Sequence, residues 1–295
     1  MSHITVQMCG GLGNQMFQYA MGRALSLRHH VPLILDISWF SGPMTGCTKR
    51  KYLLDIFPHI ASSKDISYYN RYAIQKWKRI GKRILSYFFP AESTIIQPYF
   101  AYWPQIELVN PPAYLSGYWQ SEKFFSPYTI KIKQDFTFPT LPEGEAIFLA
   151  QKIKSAPDSV AVHIRRGDYV TDKRAQSCHG NIPLSFYKDA LDYIKDIYGE
   201  ITIFVFSDDP AWVKEYFDYR KNIPIIVNLN FSDHPYHDMH LMSLCKHHVI
   251  ANSTFSWWGA WLGTQQGLTI APAQWFADEK FEKYKDIFCK EWIIM

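Results

Sequence analysis

The 295-residue chain lacks most features that assign a protein at a glance. Its five cysteines, at positions 9, 47, 178, 245 and 289, form no CxxC pair. The sequence therefore indicates neither a disulfide framework nor a zinc ribbon. No apolar run reaches the ~18 residues of a membrane-spanning helix. The opening MSHITVQMCGG enters a strand pattern directly, without the charged and apolar regions of a secretory signal. These absences lead to the expectation of a reduced, cytoplasmic protein. A net charge of +4 is too small to argue for nucleic acid. There is no internal repeat and no low-complexity segment.

What is present is ample core material: 47% hydrophobic residues and 17% aromatic, with ten Trp and nineteen Tyr. The length favours two domains over one. Residues 4–9 (ITVQMC) read as a strand, 10–14 (GGLGN) as a turn, 15–29 as a helix and 32–36 (PLILD) as a second buried strand, which makes a βαβ unit. A second alternating region begins near Ser159. Strands are expected at 160–164, 201–206, 223–227, 249–251 and 268–271. Helices are expected at about 184–198, 211–217, 238–246 and 255–265. Short continuous apolar strands of this kind suit a parallel sheet covered on both faces. The fold class is thus α/β, with two doubly wound halves and a linker zone at 136–159. Residues 1–150 are assigned to the first domain, 151–275 to the second, and 276–295 to a tail returning to the first.

Three polar clusters fall at expected strand ends, where open α/β sheets bind ligands. The first is 163-HIRRGD-168, whose charges directly follow a buried strand. His163 and Arg165 share a face of an extended chain, and Arg166 points away. Arg suits paired hydrogen bonds to a phosphate and stays charged when dehydrated. Arg165 is therefore assigned to a phosphate and Arg166 to scaffold pairs, with a buried ion-pair knot as the competing account. The second cluster is Ser207-Asp208-Asp209. The third is 252-NSTFS-256, where Ser253 or Thr254 caps a helix whose start is an anion site.

Other motifs are weaker. The turn 10-GGLGNQ-15 imitates GxGxxG, and Asp36 imitates a ribose-binding acid, but Met16 replaces the third Gly. Residues 66–91 carry six Lys/Arg (71, 76, 78, 79, 82, 83) and no acid, with apolar residues at helical spacing. This stretch reads either as a contact with an anionic membrane or as a packed helix with a solvated basic face. His234, His237, Asp238 and His240 invite a metal reading, yet their spacing fits no standard zinc pattern. No Asp-x-Asp pair occurs.

Taken together, these motifs make the sequence similar to the bacterial α-1,2-fucosyltransferases, the family that includes the animal blood-group H enzymes. The resemblance covers nearly the whole chain. It rests on GGLGNQMFQYA at 10–20, HIRRGDY at 163–169, FSDD at 206–209, DMHLMSLCKHHVIANSTFSWWGAWL at 238–262 and APAQW at 271–275. It implies a GT-B fold: two Rossmann-like doubly wound domains facing across a cleft. It also implies GDP-β-L-fucose as donor, an α-linked product on O2 of a galactose, and no metal or other cofactor. In that family the arginine matching Arg165 grips the β-phosphate, backbone near His163 meets guanine, and the acid matching Asp238 pairs with the guanine edge. The segment matching Ser253, Thr254, Phe255 and Ser256 contacts the diphosphate, with Asp208 and Asn252 grouped beside it. Gly11, Gly13, Asn14 and Gln15 line the cleft from the first domain.

Asp168 is the first candidate for the base that activates the acceptor hydroxyl. Asp172 and Asp36 are alternatives, and Asp168 could instead brace Arg166. The expected partners are GDP-fucose and a galactose-terminated glycan, free or lipid-linked, with a peripheral contact of residues 66–91 on the inner membrane and no nucleic acid. Rival classes are an NAD(P)-dependent oxidoreductase using the Gly-rich turn and Asp36, and a non-catalytic carbohydrate-binding protein.

Overall fold

A computed structural model describes residues 2–42, 50–70, 72, 93–167, 177, 180–219, 222–229, 234–277 and 280–295. The chain divides into two compact units, Met1–Pro139 and Thr140–Met295. Both are α/β, each built on a parallel sheet.

In the first unit, β1 (Ile4–Gln7), β2 (Leu33–Asp36), β3 (Ile66–Tyr69), β4 (Ser93–Ile96) and β5 (Ala113–Ser116) stand in the order β3-β2-β1-β5-β4. Helix α1 (Leu12–His29) connects β1 to β2 and ends on His30, which adopts the left-handed conformation (φ 53°). Most of α1 is buried, so its polar side chains find partners inside the unit. The hydroxyl of Tyr19 donates to Asp135 Oδ2 (2.8 Å), and Arg23 Nε reaches the same oxygen (3.3 Å). Asp135 closes the short helix α3 (Thr129–Asp135), which comes after α2 (Pro58–Ala61) among the helices described.

In the second unit, β6 (Ser159–Ile164), β7 (Thr202–Ser207), β8 (Ile225–Val227), β9 (His247–Val249), β10 (Thr269–Ala271) and β11 (Ile293–Ile294) stand in the order β11-β10-β9-β6-β7-β8. Among the described residues the helices with them are α4 (Glu145–Ser155), α5 (Leu184–Tyr198), α6 (Pro210–Tyr216), α7 (Tyr236–Leu244) and α8 (Thr254–Trp261). Alternation along β6 explains its continuous apolar run. Val160, Val162 and Ile164 pack with Ala190, Leu191 and Ile194 of α5. Ala161, on the opposite face, packs with Ile153 of α4 and Leu241 of α7.

The amino ends of β6 and β9 are tied together. Asp158 Oδ1 accepts from Lys246 Nζ (2.6 Å) and lies 3.2 Å from His247 Nε2, and Lys246 N donates to Ser159 O (3.0 Å). The Lys246 ammonium is the main cause holding the Asp158 carboxyl below its usual range.

Two domain boundaries are corrected. The division falls at 139/140 rather than 150, because Leu149, Ala150 and Ile153 of α4 belong to the second unit's core. Nor does the tail 276–295 return to the first unit. β11 pairs with β10, Trp257 Nε1 donates to Ile287 O (2.6 Å), and the hydroxyl of Tyr284 donates to Ala273 O (3.1 Å). Among the described residues, no helix is long and apolar enough to cross a membrane.

Each sheet has a switch point where the winding reverses. In the first sheet it lies between β1 and β5, in the second between β6 and β9. Ligands of open α/β sheets bind at the carboxyl ends of strands at such points.

Candidate active site

In the second unit the switch point is furnished by the ends of β6, β7 and β9. Arg165 follows β6, and its Nη1 lies 2.9 Å from Asp208 Oδ2 at the end of β7. The other Asp208 oxygen accepts the Arg166 backbone N–H at 2.8 Å. A Cβ at Gly167 would lie 2.3 Å from Asp208 Oδ2, so any side chain there would push this carboxylate aside. The Arg165 and Asp208 side chains remain 22% and 24% exposed, so a fixed guanidinium stays reachable from solvent.

Arg166 turns away, as expected of the scaffold arginine. Its guanidinium carbon lies 3.7 Å from the centroid of the Trp212 ring, and its Nε is 3.6 Å from Asp209 Oδ2. Asp209 in turn caps α6 by accepting from Trp212 N (3.1 Å). The ion-pair account of HIRRGD is therefore correct in part, but the acids involved are Asp208 and Asp209. Asp168 and Asp172 lie outside the described residues.

His163 is 5% exposed and faces Phe255 across 5.7 Å. Burial lowers its pKa to about 3, with Asp208 opposing and Arg165 adding to the shift, so the ring is neutral near pH 7. Its Nδ1 is buried without a hydrogen-bond partner. Thus β6, β7 and the first turn of α8 bring His163, Arg165, Asp208 and Phe255 together.

After β9, two predicted donor contacts prove to be scaffold. Asn252 is 1% exposed and donates to Trp275 O (3.3 Å). Ser256, also 1% exposed, donates to Ala251 O (3.4 Å) and Ser253 O (3.3 Å). Ser253 caps α8 by accepting from Phe255 N (3.3 Å), while Thr254 and Phe255 are partly exposed at the helix start. Trp257, Trp258 and Trp261 are core.

Helix α7, which packs against α4 and α8, carries Asp238. Oδ1 of Asp238 is buried without a hydrogen-bond partner, and burial raises the carboxyl pKa to about 6. Burial likewise lowers His237, and lowers His240 to about 4. Among the described residues, no group of three or more His, Cys, Asp or Glu side chains is placed to hold a metal ion.

At the first unit's switch point, Gly10 takes φ 78° and Gly11 precedes α1 without a side-chain cap. Asn14 Oδ1 accepts from Gln120 Nε2 (2.9 Å), a partner past β5 that sequence reading did not find. Gly13 is buried, and Gly11 is partly exposed with open space about its Cα. Gln15 is corrected from a cleft residue to a buried brace. Its Nε2 donates to Gly10 O (3.0 Å) and Lys51 O (2.9 Å), and its Oε1 accepts from Leu53 N (2.9 Å). Asp36 is also committed, accepting from Ser38 N (2.9 Å) and the Tyr114 hydroxyl (2.8 Å). Both its oxygens are occupied and it is 1% exposed, which removes it as a ribose ligand or a base.

A doubly wound unit with a braced arginine and a helix start at its switch point belongs to the nucleotide-binding class of α/β enzymes. The family model described as Glycosyl transferase family 11 matches residues 103–295. The chain belongs to that family and is a glycosyltransferase. It is 33% identical to an alpha-1,2-colitosyltransferase of Escherichia coli, over 99% of each chain. It is 31% identical to the O-antigen biosynthesis glycosyltransferase WbnK of Escherichia coli, over 93% of this chain and 95% of that one. A galactoside alpha-(1,2)-fucosyltransferase 1 of Mico humeralifer is 26% identical over 63% of this chain and 53% of its own length. Among solved structures, the NodZ alpha-1,6-fucosyltransferase co-crystallized with GDP is 12% identical, with a TM-score of 0.48 over 88% of this chain and 91% of that one.

Proposed function

We propose that the enzyme moves L-fucose from GDP-β-L-fucose to O2 of a galactose in an oligosaccharide or surface-polysaccharide precursor, inverting to an α-1,2 linkage. The observation that carries this reading is Arg165, held by Asp208 at the switch point of the second unit, in a chain whose relatives are named as α-1,2 transferases. In this reading the second unit binds the donor and the first recognises the acceptor. Bond breaking passes through an oxocarbenium-like transition state. Negative charge grows on the β-phosphate, where Arg165 and the N–H groups at the start of α8 meet it without a metal. Asp168 is the proposed base. The inner membrane face is the setting, with residues 66–91 as the basic contact. Those residues fall mainly outside the described part of the chain, including all six of their Lys/Arg positions.

The test is transfer from GDP-fucose to a panel of galactosides, with and without EDTA, and GDP-mannose as the control donor. Turnover of GDP-fucose alone, unaffected by EDTA, is expected. Equal use of GDP-mannose would overturn the donor, and loss of transfer in EDTA would overturn the metal-free step. A colitosyl donor is the second reading, favoured by the 33% identical relative. Colitose is 3-deoxy-L-fucose, so a GDP-colitose arm separates the two.

Asp238 supplies a pH dependence. Its ionised form is the one that accepts hydrogen bonds from guanine N1–H and N2–H, and its carboxyl titrates near 6 in the empty enzyme. Protonation below that value removes the charged acceptor, so GDP affinity is expected to fall by about tenfold per pH unit as pH drops below about 6 and to level off above it. Calorimetric titration with GDP between pH 5 and 8 checks this, and a flat profile would remove Asp238 from guanine recognition.

A further inference from the structure

We infer that the turn Gly117–Gln120, at the carboxyl end of β5, is the acceptor-recognition element, and that Tyr118 is the platform on which the acceptor pyranose stacks. This rests on the transferase reading above.

The turn is held in a costly shape. Trp119 has φ 54°, a left-handed conformation that a bulky side chain seldom adopts. Gln97, the residue after β4, imposes it: its Oε1 accepts from Tyr118 N (2.8 Å) and Trp119 N (3.0 Å). Gly117 leaves room for this clamp, since a Cβ there would lie 2.5 Å from Gln97 Cβ. The Trp119 ring is fully buried and packs edge-on against Phe124. Its Nε1 and Gln97 Nε2 are both buried without a hydrogen-bond partner. A left-handed Trp and two unmet donors, one in the turn and one on the residue that clamps it, oppose stability, and such expense gathers where geometry serves a ligand.

What the shape achieves is a division of side chains. Tyr118 is 42% exposed, on a backbone whose N–H groups at 118 and 119 both meet Gln97 Oε1. Gln120 is held inward, where it orients Asn14 at the start of α1. The Ser116 hydroxyl donates to Gln7 Oε1 (2.8 Å), tying the ends of β5 and β1 together. The turn therefore stands at the first unit's switch point, where ligands of such sheets bind. A rigid tyrosine offers a large amphipathic surface at low entropic cost. The matching ligand face belongs to galactose, whose axial O4 leaves C3–H, C4–H and C5–H together on the other side of the ring. A glucoside has no such continuous patch. Tyr118 is thus a specificity-determining residue, and Gln120 a positioning residue acting through Asn14.

The test compares Tyr118→Ala, Tyr118→Phe and Gln97→Leu with wild type. It measures acceptor KM, kcat, GDP-fucose affinity and acceptor-free GDP-fucose hydrolysis. Tyr118→Ala should raise the galactoside KM about tenfold and erase the preference for galactosides over glucosides. Donor affinity and hydrolysis should stay unchanged. Tyr118→Phe should remain within about twofold of wild type, and Gln97→Leu should reproduce the KM rise. An unchanged acceptor KM in Tyr118→Ala, or an equal loss of donor affinity, would overturn the assignment. Wild-type protein that neither binds nor hydrolyses GDP-fucose would instead defeat the transferase reading beneath it.

Discussion

Replacing Arg165 with alanine is expected to lower kcat by about a hundredfold or more, the usual cost of about 3 kcal/mol for removing one donor to a developing anion. The fold should survive. The Arg165–Asp208 pair is partly exposed, and pairs of that kind are worth at most about 1 kcal/mol. Asp208 also keeps its hydrogen bond from the Arg166 backbone. Thermal unfolding should therefore move little while transfer collapses. Asp208→Asn sharpens the point, because it can keep the contact with Arg166 N while removing the charge that holds the guanidinium, so an intermediate loss in kcat is expected. An Arg165→Ala enzyme with more than about a tenth of wild-type kcat would show that this arginine contributes less than about 1.4 kcal/mol to the transition state.

The second large effect is at Asp238. Hydrogen bonds to a charged group contribute about 1.5–3 kcal/mol each. Asp238→Ala, losing two such bonds to guanine, is expected to weaken GDP binding by a hundredfold or more, about 3 kcal/mol or above. Stability should move the other way. The empty protein holds this carboxyl buried, with Oδ1 unpartnered, which is unfavourable. Its removal should leave Tm unchanged or raised. Wild type should also prefer GDP to inosine diphosphate, which lacks the exocyclic amine, and the variant should lose that preference. A fall in Tm together with normal GDP binding would make Asp238 a structural residue.

The sequence made the second unit legible because its strands are short apolar runs separated by helices, of which 184–198 is strongly amphipathic. The helix expected at 184–198 has those bounds. The first unit was harder to read past β2. β4 is an exposed edge strand, and several short 3-10 turns carry no periodic signal. At the site, sequence alternation predicts that Arg165 and Arg166 diverge, and their guanidinium groups meet different acids. It could not show which acids they meet, since Asp208 and Asp209 are more than forty positions away. Asn252, Ser256 and Gln15 share the motifs of binding residues but are buried in hydrogen bonds to the backbone. A motif reports that a segment is held in a fixed shape. It does not say which members face the ligand and which do the holding.

The clamp of Asp158, Lys246 and His247 sits at the amino ends of β6 and β9, while Arg165 and Ser253 follow the carboxyl ends of the same segments. One end of this strand pair is thereby the anchor, and the other carries the candidate site. Substitutions at partly exposed positions of the candidate site need not disturb strand register, so the site can change without unfolding the sheet. The same separation recommends where to mutagenise: libraries confined to partly exposed positions such as Arg165, Thr254 and Phe255 should retain a high fraction of folded clones, whereas randomising Asp158 or His247 should not.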